Sequence, residues 1–182
     1  MPEDAPEAKA LGEAIMRALG SNVMFSAATL PLRMFPPLFN RYDVGMEYGT
    51  HVDNAIRHIA SARQMMRTDI SCTLFLTDPA EYDGGELVIG DGHGDTCVKL
   101  AAGAMVVYPA DSLHRVEPIT RGSRWASCFW VQSMVRDNGD RALLHRFDQA
   151  ITAARAELGD KHASVLGLTS TYHNLLRKWV ET

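Results

Sequence analysis

His51 and Asp53 stand two positions apart in the run LFNRYDVGMEYGTHVDNA (38–55). On an extended strand such a pair projects from one face. A neutral imidazole beside a carboxylate makes half of a mixed nitrogen and oxygen metal site. By itself His-x-Asp is a weak signal, because a polar surface loop in a chain with 7 histidines carries the same residues. A second run, VVYPADSLHRVEPITRGSRWASCFW (106–130), supplies His114 in a short β segment after a turn at Pro109. Two imidazoles and one carboxylate that leave coordination positions open form the facial triad suited to Fe(II), with room for a cosubstrate and O2 at the same metal. The HExxH helix of zinc hydrolases is absent from the sequence.

Arg124 follows at the head of a largely apolar strand. A guanidinium buried there is costly unless an anion meets it, and arginine grips a carboxylate through two parallel hydrogen bonds. Taken alone, Arg124 reads rather as a strand-end residue in solvent, as Arg121 is expected to be. With the three candidate ligands beside it, it predicts a 2-oxo acid bound to the metal at one end and salt-bridged at the other.

Positioning these groups is the task of a β-rich middle. ISCTLFLT (70–77), ELVIG (86–90), TCVKL (96–100), AMVVY (104–108) and RWASCFWV (124–131) are rich in Val, Ile, Thr and aromatics, with Gly-containing turns between them. Strands this closely spaced, with no helices between, pair antiparallel into a sandwich or barrel. On either side the period is helical. Ala8, Leu11, Ile15, Ala18 and Leu19 mark a helix that stops at Gly20, and Ser21 or Asn22 caps a short second one. Leu143 to Leu158 and Val165 to Trp179 predict two more, the set packing on one sheet and closing its outer face.

With 182 residues the chain suits one domain and a substantial core. It is 46% hydrophobic and 22% charged, an ordinary globular mixture. Its formal net charge of -4 argues against nucleic-acid or membrane-surface binding. No apolar run reaches membrane-spanning length, and the acidic start MPEDAPEAKA does not read as a signal peptide, so a cytoplasmic protein is expected. Cys72, Cys97 and Cys128, odd in number and without CxxC spacing, argue against a disulfide framework or structural zinc. Cys72 and Cys128 read as core thiols, and Cys97 as more exposed. Arg67 and Asp69 read as an ion pair at a strand entrance, and His93, in a Gly-rich turn, as a further pocket candidate. Arg33, Arg41, Arg57, Arg63 and Arg67 gather near the expected mouth, where they would favour an anionic substrate.

RYDVGMEYGTHVD, RTDISCTLFLTDPAEYDGGELVI, VVYPADSLHRVEPITRGSRWAS and YHNLLRKW together resemble the PKHD-type hydroxylases, relatives of the prolyl 4-hydroxylases among Fe(II)/2-oxoglutarate dioxygenases. The resemblance runs from about Phe25 to Trp179. It implies a mainly β fold with flanking helices: a helical segment over 1–32, a double-stranded β-helix (jelly roll, cupin-like) over 33–134, and a C-terminal helical region over 135–182 packed on the core. It implies His51, Asp53 and His114 as iron ligands, Arg124 as anchor of the distal carboxylate of 2-oxoglutarate, and Tyr42 as a hydrogen-bonding partner of that cosubstrate. Tyr48 and Trp130 would line the pocket or pack. The implied reaction consumes 2-oxoglutarate and O2, releases succinate and CO2 and hydroxylates an unidentified substrate, with L-ascorbate as an implied accessory cofactor. Chains of this family usually carry a further N-terminal helix and β segments. Residue 1 falls inside that pattern, so the expectation is a start assigned too far downstream or an uncovered strand edge.

Two other functions remain open on sequence grounds: a cupin-like sensor of metal or small acid, in iron homeostasis, and an inactive relative working through protein contacts. Arg124 favours the enzyme, since a bare metal sensor has no use for it. A homo-oligomer is compatible with the sequence.

Overall fold

A computed structural model of the chain describes residues 2, 5–59, 63–90, 92 and 94–181. Helices α1 (Pro6–Gly20) and α2 (Val23–Thr29) come first, and the Asn22 side chain caps α2 by accepting from Phe25 N at 2.9 Å. Short strands follow: β1 (Pro31–Met34), β2 (Leu38–Asp43), β3 (Tyr48–His51), β4 (Ile56–Ile59), β5 (Gln64–Arg67), β6 (Ile70–Phe75), β7 (Asp83–Gly84), β8 (Leu87–Gly90), β9 (Asp95–Val98), β10 (Met105–Pro109), β11 (His114–Val116) and β12 (Ile119–Arg121). The long β13 (Ser123–Ser133) and helices α3 (Asn138–Leu158) and α4 (Ala163–Trp179) complete the chain.

All pairings are antiparallel. The larger sheet runs β1-β13-β6-β10, with β2 also paired to β13; the smaller runs β3-β11-β8-β9. They enclose a shared core, in which Phe75 and Tyr108 of the larger sheet meet Leu87, Ile89 and Val116 of the smaller. Two antiparallel sheets face to face, with helices outside, make the jelly-roll architecture expected from the sequence.

The period of two along β13 divides its work. Arg124, Ala126, Cys128 and Trp130 line the cavity between the sheets. Val131, and Phe129 at the cavity edge, pack with Ile70 and Cys72 against Leu19 and Phe25 of the N-terminal helices. Burying each of these large apolar side chains is worth roughly 1.5–3 kcal/mol relative to leaving it exposed. Thus α1 and α2 cover the outer face of the larger sheet. Helices α3 and α4 instead form their own cluster, Leu144, Ile151 and Tyr172 closing on Leu30 and Val135. Asp137 caps α3, and Gly159, at φ 84°, ends it.

Arg124 is reached through the β12–β13 turn at Gly122. The residue sits at φ +72°, and a Cβ there would stand 2.2 Å from the Glu81 carbonyl oxygen. Neither the backbone angle nor the carbonyl leaves room for alanine. Gly122→Ala is therefore expected to destabilise the fold by at least about 2 kcal/mol. Equilibrium urea denaturation checks this, and a variant as stable as the parent would mean that the turn can re-form without the close approach.

Candidate metal centre and its cavity

His51 ends β3, and Asp53 lies just beyond it rather than on the strand. β3 pairs with β11 so that His51 stands opposite His114. One ligand atom from each of His51, Asp53 and His114 lies within 4.8 Å of the others. The two imidazole centroids are 4.1 Å apart, and His114 Nε2 is 3.7 Å from Asp53 Oδ2. Among the described residues this is the group of His, Cys, Asp and Glu side chains so gathered.

The protonation pattern follows from the neighbours. His51 Nδ1 is 2.8 Å from the Gly49 carbonyl oxygen, and His114 Nδ1 is 3.0 Å from that of Ser112. A carbonyl can only accept, so each Nδ1 carries its proton and donates it. In its neutral form each ring so held has its lone pair on Nε2, where a metal would bind. Ser71 Oγ donates to Asp53 Oδ2 at 2.5 Å and fixes the carboxylate, leaving Oδ1 free of that bond.

Burial holds the His114 pKa below its ordinary 6.5; the Ser112 carbonyl and Asp53 oppose that shift, and His51 adds to it. The contact with Asp53 is therefore one between a neutral ring and a carboxylate near neutral pH. Just below pH 6.5 the unfolded chain takes up a proton that the folded ring refuses, so acid favours unfolding. This contribution to stability is complete above 6.5 and drains away as pH falls towards the folded value. In metal-free protein, the melting temperature is expected to drop as pH falls below 6.5, and less steeply in His114→Gln. Parallel pH slopes for the two proteins in a thermal-denaturation series would contradict this.

The cluster opens on a cavity of about 290 Å³, at the small end of the ligand-pocket range of roughly 300–1,000 Å³. Arg124 lies deep in its wall, 1% exposed. Tyr42 faces it across the β2–β13 pairing, and its guanidinium carbon is 5.6 Å from the Tyr42 ring centroid and 5.2 Å from that of Phe75. Nε and Nη2 have no hydrogen-bond partner. Burial lowers the Arg124 pKa, with Tyr82 and Tyr42 pulling the other way. Gly85 leaves the space behind it, since a Cβ there would come within 3.1 Å of Arg124 Cδ. A buried cation with two idle donors, facing a small polar cavity, suits a carboxylate. The donor set of the cluster suits a divalent first-row metal. The residues present fit both an iron ion and a 2-oxo diacid.

Five residues singled out from sequence thus line one cavity: Tyr42, His51, Asp53, His114 and Arg124. Tyr48 and Trp130 line it too. Cys128 is on the same wall rather than wholly within the core; Asn40 Nδ2 donates to its sulfur at 3.2 Å, and burial pushes its thiol up to about 11, which keeps it protonated and inert. Cys97 is exposed, and Arg67 pairs with Asp69 at 2.6 Å. His93 lies outside the described residues. Of the arginines expected at the mouth, Arg57 lines the cavity, whereas Arg33 reaches Gln132 and Arg41 reaches Asp43. Ser71 and Thr73 also line the cavity, though neither is among the site residues expected from the sequence. The signal was their alternation with apolar neighbours in ISCTLF, polar residues on the inward face of a buried strand.

Among the described residues no helix is long and apolar enough to cross a membrane. The chain matches the 2OG-Fe(II) oxygenase superfamily over residues 37–132 and the PKHD-type hydroxylase C-terminal domain over residues 138–181. It is 62% identical over 181 residues to a PKHD-type hydroxylase of Gluconobacter oxydans and 61% identical over 181 residues to one of Methylobacterium nodulans, in each case with 100% of this chain and 80% of the relative covered. Among solved structures it is similar to a Pseudomonas putida prolyl-4-hydroxylase, at 21% identity and TM-score 0.49, covering 73% of this chain and 70% of that one. A viral collagen prolyl hydroxylase from Paramecium Bursaria Chlorella virus-1 aligns at 17% identity and TM-score 0.47 over 73% of this chain and 76% of that one. With identity of this extent along its whole length, the chain belongs to the PKHD-type hydroxylases of the 2OG-Fe(II) oxygenase superfamily.

Proposed function

We propose that the protein is an Fe(II)- and 2-oxoglutarate-dependent dioxygenase that hydroxylates an unidentified substrate, with release of succinate and CO2. The observation that carries this reading is the pairing, within one cavity, of a two-imidazole, one-carboxylate cluster with a buried arginine whose donors Nε and Nη2 are idle. When bound, iron with its 2-oxo acid would supply the activation of O2 and the attack on a substrate C–H bond.

The chain's own part is binding and orientation. His51 and His114 present Nε2, each ring held by a backbone carbonyl, and Asp53 is held by Ser71. Arg124 would receive the distal carboxylate of 2-oxoglutarate, so that the keto end is turned towards the cluster before O2 arrives. Tyr42 stands opposite Arg124 and would share that carboxylate. The walls around Arg124, with Phe75 fully buried, exclude water from the anchored end.

Anaerobic titration with Fe(II) and then 2-oxoglutarate tests the proposal. A visible metal-to-ligand charge-transfer band is expected, followed on admitting O2 by succinate release that ascorbate sustains. Iron binding with neither band nor succinate would mark a metal-binding sensor instead. Failure to bind either component would mark an inactive relative.

A further inference from the structure

Four buried side-chain atoms on the cavity-lining residues lack a hydrogen-bond partner: Nε and Nη2 of Arg124, Nε of Arg57 and Nε1 of Trp130. All four are donors; the Tyr82 hydroxyl beside Arg124 is also without a partner, whereas among the described residues no buried acceptor without a partner lies on the cavity lining at the Arg57 and Trp130 end. A buried polar group left unpaired needs a reason. For Arg124 the distal carboxylate of 2-oxoglutarate supplies one. Arg57 and Trp130 are a separate case, since six residues of strand β13 put Trp130 roughly 20 Å along the chain from Arg124. Their end of the cavity is the one nearest the cluster, because Ser71, which holds Asp53, is the register partner of Trp130.

The Arg57 guanidinium carbon sits 3.3 Å from the centroid of the Trp130 ring and 5.3 Å from that of Phe35. Stacking fixes the plane of the guanidinium and leaves its N–H edge as a rigid two-pronged donor. Among the described residues Arg57 forms no ion pair, whereas Arg41 and Arg67 nearby in the sequence are both paired. The charges of the occupied site point the same way. A divalent metal, a dianionic 2-oxo diacid, Asp53 and Arg124 cancel one another, so Arg57 is left as an uncompensated cation on the wall of the cavity.

We infer that Arg57, with the Trp130 indole N–H, receives a carboxylate of the primary substrate. The substrate class is then an organic carboxylic acid, gripped by its anionic end while a neighbouring C–H group is held towards the cluster. This assignment rests on the proposed 2-oxoglutarate site. The remaining space sets the scale: a cavity of about 290 Å³ that also admits the cosubstrate takes in the carboxylate and the few carbons next to it.

The test uses the full chain loaded with Mn(II), first titrated calorimetrically with 2-oxoglutarate and then, at saturation, with acetate through hexanoate and their primary amides. The wild type is expected to prefer carboxylate over amide by about tenfold or more. Arg57→Met should abolish that preference and Arg57→Lys restore part of it, since a point charge lacks the fork. Trp130→Phe should weaken it while keeping a ring under the guanidinium. All three should bind 2-oxoglutarate as the wild type does, which also reports an intact fold. Equal affinity for acid and amide, or a preference that survives Arg57→Met, overturns the inference and leaves the 2-oxoglutarate site standing. If the manganese-loaded wild type fails to bind 2-oxoglutarate, the underlying reading falls and this one with it.

Discussion

Asp53→Ala is expected to lower metal affinity by at least about 100-fold and to abolish turnover. Loss of a partner that merely orients a ligand typically costs 10–100-fold, and Asp53 is itself the anionic member of the cluster. What remains is two neutral imidazoles that offer no charge to a divalent ion. The carboxylate is also committed in place: it is 9% exposed on its side chain, bonded to Ser71 and 3.7 Å from His114 Nε2. A graded companion is Ser71→Ala, which leaves the charge but frees the carboxylate and should cost about tenfold. Competition with a coloured chelator for Mn(II) measures both. Asp53→Ala binding within about threefold of the wild type would remove Asp53 from the metal centre.

How much of this site could be read from sequence depended on whether the deciding contact was local. His51 and His114 stand in runs whose flanks announce turns and strands, and the cross-strand pairing that joins them extends a β-rich pattern already visible. Arg124 was legible because an arginine in an apolar strand demands an explanation. Arg57 was not separable from its neighbours. Five arginines near the mouth looked equivalent, and only tertiary pairing tells Arg41, bonded to Asp43, from Arg57, stacked on a tryptophan 73 positions away. The fold divides in the same manner. The strands with alternating or apolar patterns, β6, β8, β10 and β13, follow the sequence closely. β4 (IRHI) and β5 (QMMR) pair as a separate ribbon that such patterns do not single out. β1 begins at Pro31, where helix-ending chemistry dominates the local signal, and exists because β13 is long enough to pair with β1 at one end and β2 at the other. The helices illustrate the same limit. Their apolar stripes fix where they run, but not that α1 and α2 take the outer face of the larger sheet while α3 and α4 close chiefly on each other.

Arg124→Met should have opposite effects on stability and on binding. In the free protein Arg124 is 1% exposed, with Nε and Nη2 unpaired. An unsatisfied buried donor costs about 1–3 kcal/mol, and a buried unpaired charge costs more. Methionine fills a similar elongated space among Tyr42, Phe75 and Tyr82 without carrying that burden. A gain of about 1 kcal/mol would raise the melting temperature by roughly 2–4 °C in a chain of this size. With Mn(II) and 2-oxoglutarate added the order should invert. Two charge-assisted hydrogen bonds to the distal carboxylate vanish in the variant, so its affinity for 2-oxoglutarate should fall by about 100-fold or more. At a concentration 100 times its dissociation constant, the cosubstrate stabilises the wild type by about 2.7 kcal/mol and leaves the variant almost unmoved. Metal affinity should be the same in both, since Arg124 is not among the clustered ligand atoms. Differential scanning fluorimetry with and without 2-oxoglutarate reads the crossing of the two melting temperatures directly. A variant that melts below the wild type without cosubstrate, yet gains as much from it, would show that Arg124 braces the barrel and that the carboxylate is held elsewhere.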